Sequence, residues 1–213
     1  TLAAGGAGVS ATSGTVILSA NDAGSDLTLQ SPIATTGGNV ELNAERDVAG
    51  TGAGTITTTA TADSGQPSGA VEINAGRAVS LAGAIVPAGA DNSAGAASAG
   101  GLVNVAAASG DIAVADINTS GGTSLGDQGG NAANIVLAGG GIALNGQLTA
   151  LGGGGVPAGA GARVTLIAGS DVADGNGPAM NVAADELVIA AATGVGAADA
   201  LEFAVASLDV SNS

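Results

Sequence analysis

A chain of 213 residues with 39 Gly and 49 Ala carries little side-chain volume, and a single Phe with no Trp or Tyr supplies no rings for an irregular globular core. Three arginines (Arg46, Arg77 and Arg163) against 18 carboxylates give a formal charge of -15. No basic cluster exists to bind nucleic acid or anionic lipid, and no uninterrupted apolar run of eighteen residues is present to insert into a membrane as a helix. With neither Cys nor His, disulfides, thiolate metal sites and Ser-His-Asp catalysis fall away.

The chain opens on Thr1-Leu2-Ala3-Ala4-Gly5-Gly6, which has no basic and apolar leader and no initiator Met, and reads as a piece of something longer. The first apolar segment follows at Gly14-Thr15-Val16-Ile17-Leu18-Ser19-Ala20. Its pattern returns at Gly38 to Ala44, at Gly69 to Ala75, and in segments anchored by Val103, Ile135, Val164 and Leu187. The anchors from Val16 onward, through Val40 and Val71, lie 23 to 32 residues apart. A second segment starts at Leu27, Val48, Val79, Ile112, Ile142, Val172 and Val195, and a third at Ile33, Ile56, Ile85, Ile117, Leu148, Val182, and Leu201 or Phe203.

Three short strands per repeat cannot bury an apolar face alone, so successive repeats must stack. A propeller would need longer blades with aromatic and Asp signature positions, which are missing. The pattern predicts an all-β fold, a right-handed parallel β-helix (β-solenoid) of about seven coils, as one segment over 1–213. At strand spacings of about 4.8 Å the rod is on the order of 34 Å long. The connections from third to first strand swell at 57–70, 87–101, 120–133 and 152–162, stacking on one side as a ridge. Two readings stand there: a binding face, or Gly/Ala/Ser loops tolerated because nothing depends on them.

Glu41 and Glu72 take one outward slot in adjacent coils, and Arg46 and Arg77 another, so rows of opposite charge are expected to face across a corner. Asn43 and Asn74 are expected to form an amide ladder or to occupy left-handed turns. Asp26, Asp47, Asp111 and Asp171 precede the second anchors, where a carboxylate accepts a backbone N–H at a turn. A calcium role would ask for a nonapeptide Gly-Gly-x-Gly-x-Asp repeat, whereas Gly169-Ser170-Asp171-Val172-Ala173-Asp174-Gly175 occurs once. Thr55-Ile56-Thr57-Thr58-Thr59 is confined to one coil, too little for an ice-binding array. Asp111 and Asp116 are the closest approach to a catalytic carboxylate pair, but five residues apart in an extended segment they face opposite sides. The glycine runs at 139–141 and 152–155 lack the Lys of a phosphate loop. No catalytic, cofactor-binding or metal residue is assigned, and the chain is read as a non-enzyme without cofactors.

The G-x-V-x-L-x-A repeats at Gly38 to Ala44 and Gly69 to Ala75, followed by Asp-Val or Ala-Val turns, resemble the shaft repeats of filamentous-haemagglutinin-like giant bacterial exoproteins. The stretch Thr193 to Leu208 is similar to segments of very long bacterial β-strand-repeat proteins. No Asn-Pro-Asn-Gly-like motif extends the resemblance to a two-partner secretion domain. It implies a surface-anchored or released extracellular fibre used in adhesion, cell contact or biofilm, and carries no catalytic residue. Expected partners are other copies or further repeats of the fibre stacked end to end, and glycans or proteins of host or neighbouring cells. The alternative is a carbohydrate-binding or carbohydrate-active β-helix working through the loop ridge.

Overall fold

The computed structural model describes residues 6–212. Residues 1–5, most of the opening stretch read as part of something longer, and residue 213 lie outside the described residues. The strands form by a simple rule: β-branched and Leu residues alternate with small polar ones, so every second side chain points inward.

The first face stacks β2 (Val16–Ala20), β5 (Val40–Ala44), β8 (Val71–Ala75), β11 (Val103–Ala107), β14 (Ile135–Gly139) and β17 (Arg163–Ala168). The second stacks β3 (Leu27–Leu29), β6 (Val48–Gly50), β9 (Val79–Leu81), β12 (Ile112–Val114), β15 (Ile142–Leu144), β18 (Asp171–Asp174) and β20 (Gly194–Val195). The third stacks β1 (Val9–Ala11), β4 (Ile33–Thr35), β7 (Ile56–Thr57), β10 (Ile85–Val86), β13 (Ile117–Asn118) and β16 (Leu148–Ala150). All pairings are parallel, and the anchors align across coils: Val16 with Val40 and Val71, Ile112 with Ile142, Ile56 with Ile85. This is a parallel β-helix.

In the last two coils the third strand and the following first strand fuse into β19 (Val182–Ala191) and β21 (Phe203–Asn212), so the first and third faces join as one 14-stranded sheet beside the seven-stranded second face. Three separate strands per coil were expected throughout. The difference follows from the short distance between Val182 and Leu187, which leaves no connection to break the strand. Register also settles the last third-face anchor as Phe203, paired with Val182.

First-face strands such as β5 bury residues one, three and five, so the V-x-L-x-A motif is the inward half of a strand. Leu42, Ile73, Val105, Leu137 and Leu166 are wholly buried in one such row. The leading Gly has a different cause. A Cβ at Gly38 would meet the carbonyl oxygen of Gly14, one at Gly69 that of Gly38, and one at Gly101 that of Gly69. A column of close backbone approaches admits only the smallest residue.

Candidate functional site: the side lobe and the charged corner

The ridge occupies residues 58–70, 87–102, 119–134 and 151–162, each between a third-face and a first-face strand. Each connection runs out and back. In the outgoing limbs the N–H groups of Gly89 and Asn92 donate to the carbonyls of Ser120 and Thr123, and those of Gly121 and Ser124 to Leu151 and Gly154. In the returning limbs Ala97 and Gly100 donate to Gln128 and Asn131, and Gly129 and Ala132 to Pro157 and Ala160. Within a connection, Ser98 and Gly101 donate to Ala90 and Pro87, and Gly130 and Ala133 to Gly122 and Thr119.

Every set steps by three residues, the period of a polyproline II helix, which has three residues per turn and no internal hydrogen bonds. The lobe is therefore a bundle of extended limbs bonded to one another. Its interior is backbone: a Cβ at Gly122 would meet the carbonyl oxygen of Ala90, one at Gly130 that of Ser98, and one at Gly153 that of Gly122. The connections are ordered limbs and not loose loops, since buried amides need partners and these limbs supply them to each other.

Buried threonines close the neck of the lobe. Thr58 Oγ1 donates to the carbonyl of Gly69 at 2.5 Å and Thr119 Oγ1 to that of Ala133 at 2.6 Å. Thr35 Oγ1 makes the matching bond to Gly38. These residues hold the same inward position, two after the third anchor, and all three are buried. Sequence reading missed them: Thr58 was noted only within a threonine run, and the signal was its recurrence at Thr35 and Thr119.

At the lobe tip a groove of about 270 Å³ is lined by Asp63, Asp91, Asn92, Thr123 and Leu125. Its carboxylates are already engaged: Asp63 Oδ1 accepts from Ser93 N and Oγ at 2.6 and 2.8 Å, and Asp91 Oδ1 from Thr123 N at 2.6 Å. The Ser93 backbone N–H and then its hydroxyl hold the Asp63 carboxyl below its ordinary range. Leu125 and Val156, 82% and 87% exposed, project from neighbouring tips.

The charged corner differs from the expected rows. Glu41 and Glu72 do stack in register, but the arginines turn the other way. Arg46 Nε donates to Asp26 Oδ1 at 2.7 Å and Arg77 Nε to Asp47 Oδ1 at 2.8 Å, with Nη2 of each closing the fork onto Oδ2. The physical reason is the bidentate match between guanidinium and carboxylate one coil below. The Arg46 and Arg77 guanidiniums hold Asp26 and Asp47 below the usual carboxylate range, and the arginines are raised in turn. Glu41 accepts instead from Asn43 Nδ2 at 2.7 Å and Glu72 from Asn74 Nδ2 at 3.2 Å. Asn74 Nδ2 also reaches Asn43 Oδ1 at 3.1 Å, so the amide ladder forms and the left-handed alternative does not. Arg163 Nε pairs with Glu186 Oε2 at 2.6 Å.

Three of the four corner aspartates accept a backbone N–H at a turn, as expected, and the N–H belongs to the next coil. Asp26 Oδ1 accepts from Asp47 N, Asp47 Oδ1 from Ala78 N and Asp111 Oδ1 from Gly141 N. Asp116 Oδ1 does the same for Gln147 N. Asp171 Oδ1 accepts instead from the hydroxyl of its neighbour Ser170 at 3.1 Å. Asp111 and Asp116 thus both serve as clips to the next coil. Among the described residues no three His, Cys, Asp or Glu side chains converge as a metal cluster. Comparison with protein-family models, curated proteins and solved structures gives no match.

Proposed function

We propose that this chain is a non-catalytic shaft segment of an extracellular bacterial surface fibre, of the filamentous-haemagglutinin-like kind. The observation that carries the reading is the unbroken register of the aliphatic rows, accompanied by outward carboxylates that bond the next coil. Side chains engaged in that way hold a rod together and leave its surface acidic, which limits nonspecific clumping.

Phe203, Leu208 and Val210 hold inward register positions with exposed side chains, where Val182, Leu187 and Ile189 of the preceding coil are buried. One further coil, from the same chain or another copy, would cover them, adding to the fibre end to end. Immunogold electron microscopy on intact cells of the source organism tests the proposal. Gold along thin fibres outside the cell is the expected result, and gold found only after permeabilisation overturns it.

A further inference from the structure

The glycine run Gly139-Gly140-Gly141 interrupts a column of side chains at the corner between the first and second faces. Backbone bonds trace that column: Arg77 N donates to the Arg46 carbonyl at 2.8 Å, Gly110 N to that of Arg77 at 2.8 Å, and Gly140 N to that of Gly110 at 2.7 Å. Each arginine in the column forks onto the aspartate one coil below, Arg46 on Asp26 and Arg77 on Asp47. The same aspartate also takes the N–H of the residue after the arginine, from Asp47 at 3.2 Å and from Ala78 at 3.1 Å. Asp111 repeats half of this arrangement. Its Oδ1 accepts from Gly141 N at 2.7 Å, but the residue before Gly141 is Gly140, which brings no guanidinium.

Charge and space coincide at this point. A Cβ at Gly140 would lie 2.9 Å from Asp111 Oδ1, and one at Gly141 would lie 3.2 Å from Asp111 Oδ1 and 3.4 Å from Asp171 Oδ1, so bare backbone separates two exposed carboxylates. The three arginines of the chain are paired elsewhere, with Asp26, Asp47 and Glu186. Beside the glycines a depression of about 440 Å³ is lined by Ala107, Ser109, Ala138, Gly140, Ile167 and Gly169. Ile167, 48% exposed, stands in the outward row that carries Asn43 and Asn74 in earlier coils. The corner thus turns from amide and guanidinium to apolar and acidic along the rod.

We propose that this corner docks an arginine of a partner protein, one followed by an apolar side chain, with the guanidinium on Asp111 and the apolar group against Ile167 in the depression. The chain's own Arg46 and Arg77 show the geometry, since each places a guanidinium on this corner and grips its aspartate through Nε and Nη2. Lysine fits less well, because a point charge cannot make the fork. An exposed ion pair alone contributes little, so the contact with Ile167 is needed beside it, and a short peptide binds weakly, with a Kd on the order of 1 mM.

Titration of N-acetyl-Arg-Leu-amide into the isotope-labelled chain, followed by nuclear magnetic resonance, is the test. Saturable shifts of the Gly141 and Ile167 amide signals are expected, and none with the peptide in which neutral citrulline replaces arginine. Asp111→Asn keeps an oxygen for the Gly141 N–H and is expected to weaken binding several-fold with the fold intact. Gly140→Arg supplies the guanidinium from within the chain, at a position without positive φ, and is expected to abolish binding. No saturable shift at either amide up to about 10 mM peptide overturns the proposal. Shifts of undiminished size in either variant, or with the citrulline peptide, overturn it equally.

Discussion

Thr58 shows how one hydroxyl decides whether a wide connection can leave a narrow solenoid. The chain must part at the neck, and the Gly69 carbonyl there faces the apolar interior unless something bonds it; Thr58 Oγ1 does, from a fully buried position. Thr58→Val keeps the shape and removes the donor. Its expected cost is about 1–2 kcal/mol in chemical denaturation, whereas the same change at the partly exposed Thr28 in β3 costs under about 0.5 kcal/mol. The threonine run contained the residue, but an exposed array and a buried clasp look alike in a sequence. Only its register with Thr35 and Thr119 separates the two.

At the scale of the element, strands and lobe were legible to different degrees. Every first, second and third anchor from Val16 to Val195 was visible because inward aliphatics alternate with small outward residues, a period that the paired registers reproduce. The lobe was visible only as swelling. Its order resides in backbone bonds with a three-residue period, and Gly, Ala and Ser carry no side-chain pattern that reports it. The arginine partners were misread because the pairing crosses between coils by guanidinium geometry, not by charge rows.

Glycines give the lobe its sharpest test. Gly122→Ala would drive a Cβ into the Ala90 carbonyl, and Gly14→Ala would meet nothing within 4 Å. The first is expected to destabilise by about 1–3 kcal/mol. The second is neutral or stabilising by up to about 1 kcal/mol, because it restricts the unfolded chain. Thermal and urea melts of the two variants beside the parent check the contrast, and equal effects would remove the packed backbone interior from the account.

Over the whole molecule, pH separates two electrostatic effects. A formal charge of -15 repels itself, and acidification from pH 7 relieves that strain before it reaches the inter-coil clips. Asp26, Asp47 and Asp63 are depressed below the ordinary aspartate value of 3.8. A depressed folded pKa contributes stability that is fully present above the unfolded value and is lost as pH falls through the folded one. The melting temperature is therefore expected to hold or rise on acidification down to about pH 4 and to drop below it. Asp47→Asn loses the Arg77 fork yet keeps an oxygen for the Ala78 N–H, so the gap between variant and parent closes in the acid limb. Calorimetry across the range measures both, and a gap unchanged below pH 3.8 would assign the acid transition to other groups.

The hydrogen bonds of all three faces, and those that join the limbs of successive connections in the lobe, point from coil to coil, along the axis. Tension applied along the rod thus falls on every bond of a coil boundary together, as on the strands of a cable, and no single bond can be opened ahead of its neighbours. A sideways pull on one end strand loads the bonds one after another, like a zipper. A shaft built this way is stiff to a load shared along its length and weak to a load that peels it from an edge.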